Sequence, residues 1–214
     1  MKEMSITMAL VDFVPVILFA VAAVILQQDL YNKMSREVFA LFSMGTLDII
    51  FAGAGKAFYK LLYALGICDF KLLSDMFFPL QGLGFLMAGI SAFTMLYFGK
   101  KTQNIYSAAL PVFAGTFIFI AFMLLGLSLL FYVLCILSVK LKKKKLILIF
   151  AISYIVSLSM GYLSSKDFTI KIINWIAESI NILAQGLLLF GVIGLRKAGL
   201  SDLRLPGMKT NERI

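Results

Sequence analysis

The feature that most constrains the fold is a stretch of 35 residues without a single charge, Ile105–Val139. Five further apolar runs flank it, and each is close to the length of about 20 residues that a membrane-spanning helix needs. Hydrophobic residues make up 61% of the chain and charged residues 14%, whereas a soluble domain has about 45–50% and about 25%. Soluble enzymes and disordered chains are therefore excluded. The sequence predicts an all-α fold, a polytopic transmembrane helical bundle that forms one domain over residues 1–197, followed by a polar cytoplasmic tail over residues 198–214.

The number of spans depends on how Ile105–Val139 folds. A single helix over this stretch would be about 52 Å long, against a hydrocarbon core of about 30 Å. Two short helices joined by a tight hairpin fit the bilayer better. We therefore predict seven spans, with six as the alternative. The other five runs are Met8–Leu26, Val38–Gly55, Met76–Phe98, Leu146–Leu163 and Ile170–Leu195. The first of them is expected to be retained in the mature protein rather than cleaved as a signal peptide.

The net charge of +9 comes from basic residues that lie at the ends of apolar runs. The clusters are Lys100-Lys101, Lys140 with Lys142–Lys145, and Arg196-Lys197. This pattern is typical of cytoplasmic loops, which retain Lys and Arg during membrane insertion. Both span counts place Lys140–Lys145 and the C-terminus in the cytoplasm, and the seven-span count places the N-terminus outside. We expect a multi-pass protein of a plasma membrane, bacterial by its composition.

The same basic residues indicate which partners the chain meets at the membrane surface. Lys140–Lys145 is expected to contact anionic lipid head groups. No stacking aromatic residues are interleaved with this lysine run, so the sequence does not favour nucleic acid as a partner. A membrane or soluble partner subunit is compatible with the sequence.

The strongest functional pattern lies on the last apolar run. Asn174, Glu178, Asn181 and Gln185 follow each other at helical spacing and fall within a strip about 60° wide, at 100° per residue. A charged group at the centre of a bilayer costs at least about 2.5–3.5 kcal/mol, so the strip cannot face lipid. The sequence therefore predicts that it faces the bundle interior, either lining a ligand cavity or forming hydrogen bonds between helices.

Further polar residues in the apolar runs extend this predicted site. Asp48 lies in the middle of the second run and Gln81 near the start of the third, and both are predicted to bind the ligand with the strip. Asp12, Lys56 and Asp75 are predicted to form an outward polar vestibule above them. The alternative for Asp48 is a neutral carboxyl that is hydrogen-bonded within a tight helix contact.

Two short identical segments suggest an internal repeat. Gln81-Gly82-Leu83 occurs in the third run and Gln185-Gly186-Leu187 in the last. With seven spans these helices share an orientation, which gives a parallel 3+1+3 repeat; with six spans the repeat would be inverted. Both schemes occur in transporters, whose sites lie near the repeat interface.

The chain has no histidine and only two cysteines, Cys68 and Cys135. Histidine-ligated haem and zinc, and Ser-His or Cys-His catalysis, are therefore excluded. We expect no metal, no cofactor and no disulfide between the two cysteines. The carboxyl groups of Asp48 and Glu178 and the amide side chains within the apolar runs favour a transporter of a small molecule or ion, or the substrate-binding membrane subunit of one, with an unknown small-molecule ligand. A heptahelical sensor or interaction subunit without catalytic activity is the second function class, and a membrane-embedded lipid enzyme that uses carboxylates is the third.

Overall fold

The computed structural model describes residues 5–98, 116–163 and 171–205, and helices are its only long regular elements. The all-α prediction is thereby confirmed for the described residues. The helices are α1 (Ile6–Val11), α2 (Phe13–Leu30), α3 (Arg36–Ala64), α4 (Leu72–Asp75), α5 (Phe77–Phe98), α6 (Thr116–Lys140), α7 (Lys144–Leu163) and α8 (Lys171–Lys197). Short 3-10 turns cover Tyr31–Lys33 and Leu200–Asp202.

Five helical stretches of the described chain are long and apolar enough to cross a membrane. They are Ile6–Lys33, Arg36–Ala64, Leu72–Phe98, Ile118–Lys140 and Ile172–Lys197. Helix α7 adds 20 residues that carry the run Leu146–Leu163. These helices support a membrane protein, because each pairs its backbone groups internally, as the bilayer requires.

Local sequence explains where several helices begin and end. The Ser35 side chain accepts a hydrogen bond from the Val38 amide at 3.3 Å and so caps the start of α3. Helix α3 is followed by Gly66 at φ 69° and α8 by Gly199 at φ 87°. Glycine adopts this left-handed conformation without the clash that a side chain would cause, so both helices end there.

The six long helices form a ring in chain order. Helix α2 packs against α3, α3 against α5, α5 against α6, α6 against α7, α7 against α8, and α8 against α2. Glycines allow the closest approaches: a Cβ atom added at Gly45 would lie 2.6 Å from the Gly84 carbonyl oxygen, and one added at Gly89 would meet the backbone of Gly126. Small residues of this kind commonly let membrane helices pack backbone to backbone.

Two neighbouring pairs in this ring run parallel rather than antiparallel. Along α5 and α6, Gly82 faces Phe119 and Gly89 faces Gly126, so the chain proceeds in the same direction in both helices. Helices α2 and α8 are also parallel, because Asp12 lies beside Glu178 and Asp29 beside Arg196. The remaining neighbours are antiparallel.

The described residues cover only the second part of the predicted hairpin within Ile105–Val139, so they do not test it. From Thr116 onward this stretch is one continuous helix, α6. Residues 105–115 lie outside the described residues, as does the connection to α5. The seven-span count and the repeat therefore stay predictions.

The beginning of the predicted polar tail packs onto the bundle. Leu200 and Leu205 are buried with the hydrophobic core, and the Ser201 carbonyl accepts a hydrogen bond from the Lys33 ammonium group at 2.7 Å. Residues 206–214 lie outside the described residues. Leu200 and Leu205 thus anchor this segment to the bundle, while Ser201, Asp202 and Arg204 are exposed.

Candidate functional site

The ring of helices encloses a cavity of about 170 Å³. An engineered cavity of about 150 Å³ holds benzene, so this one is large enough for a small organic molecule. All six long helices and Asp12, which follows α1, contribute to its wall. The lining residues are Asp12, Val16, Gly53, Lys56, Ala57, Lys60, Phe77, Phe78, Gln81, Phe85, Met123, Leu127, Ser157, Met160, Asn174, Ala177, Glu178, Asn181 and Gln185.

The polar strip of α8 faces this cavity along its whole length. Asn174, Glu178, Asn181 and Gln185 all line it. The opposite face of α8 carries Leu183, which is 53% exposed on the outer surface of the bundle. The helix therefore separates a polar inner face from an apolar outer face, as its sequence period dictates.

Four charged side chains form a layer at one end of the cavity. The Lys60 ammonium group makes an ion pair with the Asp12 carboxylate, which is 6% exposed. The Glu178 carboxyl group, also 6% exposed, lies beside Asp12. The Lys56 ammonium nitrogen lies 4.1 Å from the centre of the Phe77 ring, a cation–π contact. We name Asp12, Lys56, Lys60 and Glu178 the charged layer.

Several buried oxygen atoms of the cavity wall lack a hydrogen-bond partner among the described residues. They are Asp12 Oδ1, Glu178 Oε1 and Gln185 Oε1. A buried acceptor without a partner costs about 1–3 kcal/mol, and more when it is charged. The Asp12 and Glu178 carboxyl groups lie beside each other, and one proton shared between them would give both a partner. Gln185 Oε1 is an acceptor suited to a bound molecule or water that donates a hydrogen bond.

Beyond the charged layer the cavity becomes amide-rich and apolar. Gln81 on α5 and Gln185 on α8 supply amide groups, and Phe85, Met123 and Leu127 supply apolar surface. Side chains of this mixed kind orient a small molecule by a few polar contacts and exclude water from the rest of it.

The structure brings most of the predicted site residues together, but not all of them. Asp48 does not line the cavity, and the prediction that it shares one polar cavity with Glu178 is wrong. On α3 the lining face is formed by Gly53, Lys56, Ala57 and Lys60, and Asp48 points about 130° away from the middle of that face at 100° per residue. Asp75 is exposed on α4 and also lies outside the cavity wall. The role of the other predicted residues in ligand binding stays a prediction.

Sequence reasoning missed Lys60 and a second charged cluster at the opposite end of α2 and α8. Lys60 follows Lys56 by one turn in an aromatic segment that also fits the membrane interface. In the second cluster, Asp29 lies 3.7 Å from Arg196, and the Lys33 side chain is buried against Ser201. The sequence signal was an acid followed four residues later by a base at the end of the first run.

Metal-ligand geometry does not occur in the part of the chain that the structure describes, where no three His, Cys, Asp or Glu side chains come together. Cys68 is exposed and Cys135 is half-buried, and both are free thiols. The chain matches no protein-family model, no curated protein and no solved structure, so the functional argument rests on the geometry of the cavity.

Proposed function

We propose that the protein is a membrane transporter, or the substrate-binding membrane subunit of one, that takes a small polar molecule into the cavity between its helices. The observation that carries this proposal is the buried Glu178 carboxyl group, which lines the cavity beside the Asp12 carboxyl group. An ionisable residue inside a membrane bundle is retained at a cost in stability and commonly marks a substrate or ion pathway.

The helix directions support seven crossings with the N-terminus outside. Helices α5 and α6 run parallel, which is the relation expected of the third and fifth spans of a seven-span chain. Four parallel helices, α2, α5, α6 and α8, end at the same face, and each is followed by or ends in basic residues. By the positive-inside rule this face is cytoplasmic; the basic residues are Lys33 and Arg36, Lys100 and Lys101, Lys140 to Lys145, and Arg196 and Lys197.

The same directions support the parallel 3+1+3 repeat. Helices α2, α3 and α5 form one half, and α6, α7 and α8 form the other with the same sequence of directions. The contact of α2 with α8 corresponds to the contact of α6 with α5, as a two-fold axis along the membrane normal requires. The cavity lies between the halves, where transporters built from repeats hold their substrates.

The two ends of the cavity differ in a way that favours an outward-facing state. The charged layer lies near the start of α2, which is the outer end in this orientation. At the cytoplasmic end, Asp29, Lys33 and Arg196 tie α2 to α8 and to the turn at Leu200–Asp202. Transport would require this cytoplasmic contact to open.

The topology has a direct test by cysteine labelling. In a chain whose two cysteines are replaced by serine, we expect Ser5→Cys to react with a membrane-impermeant thiol reagent in intact cells. Lys143→Cys should react only after the cells are opened. Protection of both positions in intact cells would indicate six crossings and an inverted relation of the halves.

The cavity and the transport activity are tested in the same cysteine-free background. We expect Ser157→Cys, on the cavity wall, to be labelled from outside, whereas Ser153→Cys, fully buried one turn away, is not. Proteoliposomes are then assayed for uptake of radiolabelled amino acids, monosaccharides, nucleosides and monocarboxylates. We expect uptake of one class above that of protein-free vesicles, and its loss in Glu178→Leu. An unlabelled Ser157→Cys together with no uptake contradicts the proposal, and binding without uptake favours a sensor instead.

A further inference from the structure

The charged layer contains one satisfied ion pair and two charges that lack an ion-pair partner. Asp12 and Lys60 neutralise each other. Lys56 makes a cation–π contact with Phe77 and no ion pair within the described residues. Glu178 also makes no ion pair there, and its carboxyl group lies beside that of Asp12. One acidic and one basic side chain that form no ion pair therefore line the same cavity.

Charge balance decides which kind of molecule fits between them. With both carboxyl groups ionised and both lysines protonated, the four groups of the charged layer sum to zero, and both Lys56 and Glu178 line the cavity. A monovalent cation would add a charge beside Lys56, and a monovalent anion would add one beside Glu178 and Asp12. In a site of low dielectric such an uncompensated charge is expensive. A zwitterion gives each group a partner and keeps the sum at zero.

The residues that line the rest of the cavity indicate the chemistry of the remainder of the bound molecule. Below the charged layer, Phe85, Met123 and Leu127 provide apolar surface, and Gln81 and Gln185 provide amides. A short side chain that is apolar, or that ends in an amide, fits this region. The volume of about 170 Å³ limits the whole molecule to the size of a small metabolite.

We propose that the cavity binds an amino-acid-type zwitterion, with its ammonium group at Glu178 and its carboxylate at Lys56. The side chain of the bound molecule points towards Gln81 and Gln185. This inference rests on the proposed function and names the substrate class of the same cavity. The observation behind this assignment is that Lys56 on α3 and Glu178 on α8 line the same cavity.

The probes are L-leucine and two analogues that each lack one charge. 3-Methylbutylamine is L-leucine without the carboxylate, and 4-methylpentanoate is L-leucine without the ammonium group. L-Glutamine has the corresponding pair, 4-aminobutanamide and glutaramate. Affinity for the purified full chain is measured by equilibrium binding of the radiolabelled amino acids, with the analogues as competitors. We expect L-leucine or L-glutamine to bind at least about 10-fold more tightly than either of its analogues, because charge-assisted hydrogen bonds are the strong ones.

Matched variants assign each end of the molecule. Glu178→Gln and Lys56→Gln should each weaken binding of the amino acid about 10- to 100-fold. Asp48→Asn removes a carboxylate of the same membrane region outside the cavity and should leave the affinity unchanged. Glu178→Gln should also reduce the ratio between the affinity for the amino acid and the affinity for the carboxylate analogue. Loss of folding would lower both affinities and would not produce this effect.

Several results would overturn the assignment. If the amine analogue binds as tightly as the amino acid, the cavity is a cation site. If the carboxylate analogue binds as tightly as the amino acid, it is an anion site. No binding of either amino acid, in a protein that takes up a sugar or nucleoside and whose Ser157→Cys variant is labelled, rejects the zwitterion and leaves the transporter proposal intact. Failure of both labelling and uptake rejects the transporter proposal itself.

Discussion

Gly126→Ala is expected to destabilise the folded protein by about 3 kcal/mol or more, although alanine favours helices more than glycine does. An added Cβ atom at Gly126 would overlap the backbone of Phe85 on α5. Backbone atoms cannot move aside as a flexible side chain does, so α5 and α6 have to separate. Overpacking in a well-packed interior costs about 1–3 kcal/mol and occasionally more. Thermal unfolding of the purified protein in detergent measures the loss.

Gly186→Ala is the matched control, since this glycine also lies inside a membrane helix. A Cβ atom at Gly186 meets nothing within 4 Å among the described residues. The substitution should therefore stabilise the protein by up to about 1 kcal/mol, through helix propensity alone. If the two variants unfold at the same temperature, α5 and α6 do not meet at Gly126, and the parallel arrangement loses its support.

The sequence predicted the α8 side of the cavity well, because a helix fixes which of its own residues share a face. Asn174, Glu178, Asn181 and Gln185 are brought together by the backbone period alone, and their exclusion from lipid determines which way that face turns. The helix period and the exclusion from lipid both follow from the α8 sequence itself. Only the helices that pack beside α8, and the cavity between them, could not be read from that sequence.

Asp48 shows where such reasoning fails. Exclusion from lipid predicts that a carboxylate avoids the acyl chains, but it does not say which of the neighbouring helices the residue faces. The contact of Gly45 with Gly84 fixes the rotation of α3. That rotation turns Lys56 and Lys60 towards the cavity and Asp48 away from it. No property of the α3 sequence alone distinguishes these two polar sides.

Contacts between distant segments could not be predicted either. The pairing of Asp12 with Lys60 and of Asp29 with Arg196 depends on how α2 is set against α3 and α8. The parallel packing of α5 and α6 depends on glycines whose partners lie on another helix. The sequence suggests the proposed repeat only through three shared residues, and the order of helix contacts is a separate observation that supports the proposal.

Lys33→Met is expected to lower stability by about 3 kcal/mol, because it breaks the charged cluster at the end of the bundle opposite the charged layer. Lys33 is 2% exposed and its ammonium group donates to the Ser201 carbonyl. Its charge also interacts with Asp202 and, more weakly, with the buried Asp29, whose Oδ2 atom has no hydrogen-bond partner among the described residues. Removing one member of a buried charged set leaves the other uncompensated, at a typical cost of about 3–5 kcal/mol. Arg196 remains near Asp29 and keeps the loss towards the lower end of that range.

Two further variants separate this charge effect from a general loss of packing. Arg36→Met removes an exposed basic residue of the same face and should change stability by less than about 0.5 kcal/mol. Lys33→Met combined with Asp29→Leu removes both buried charges and should recover much of the loss, since replacing a whole buried pair by apolar groups is often neutral. A double variant that is as unstable as the sum of its single variants would mean that Lys33 and Asp29 act independently. The cluster would then not be the contact that holds α2, α8 and the turn at Leu200–Asp202 together. This end of the bundle would have to be closed by the apolar packing of Leu200 and Leu205 instead.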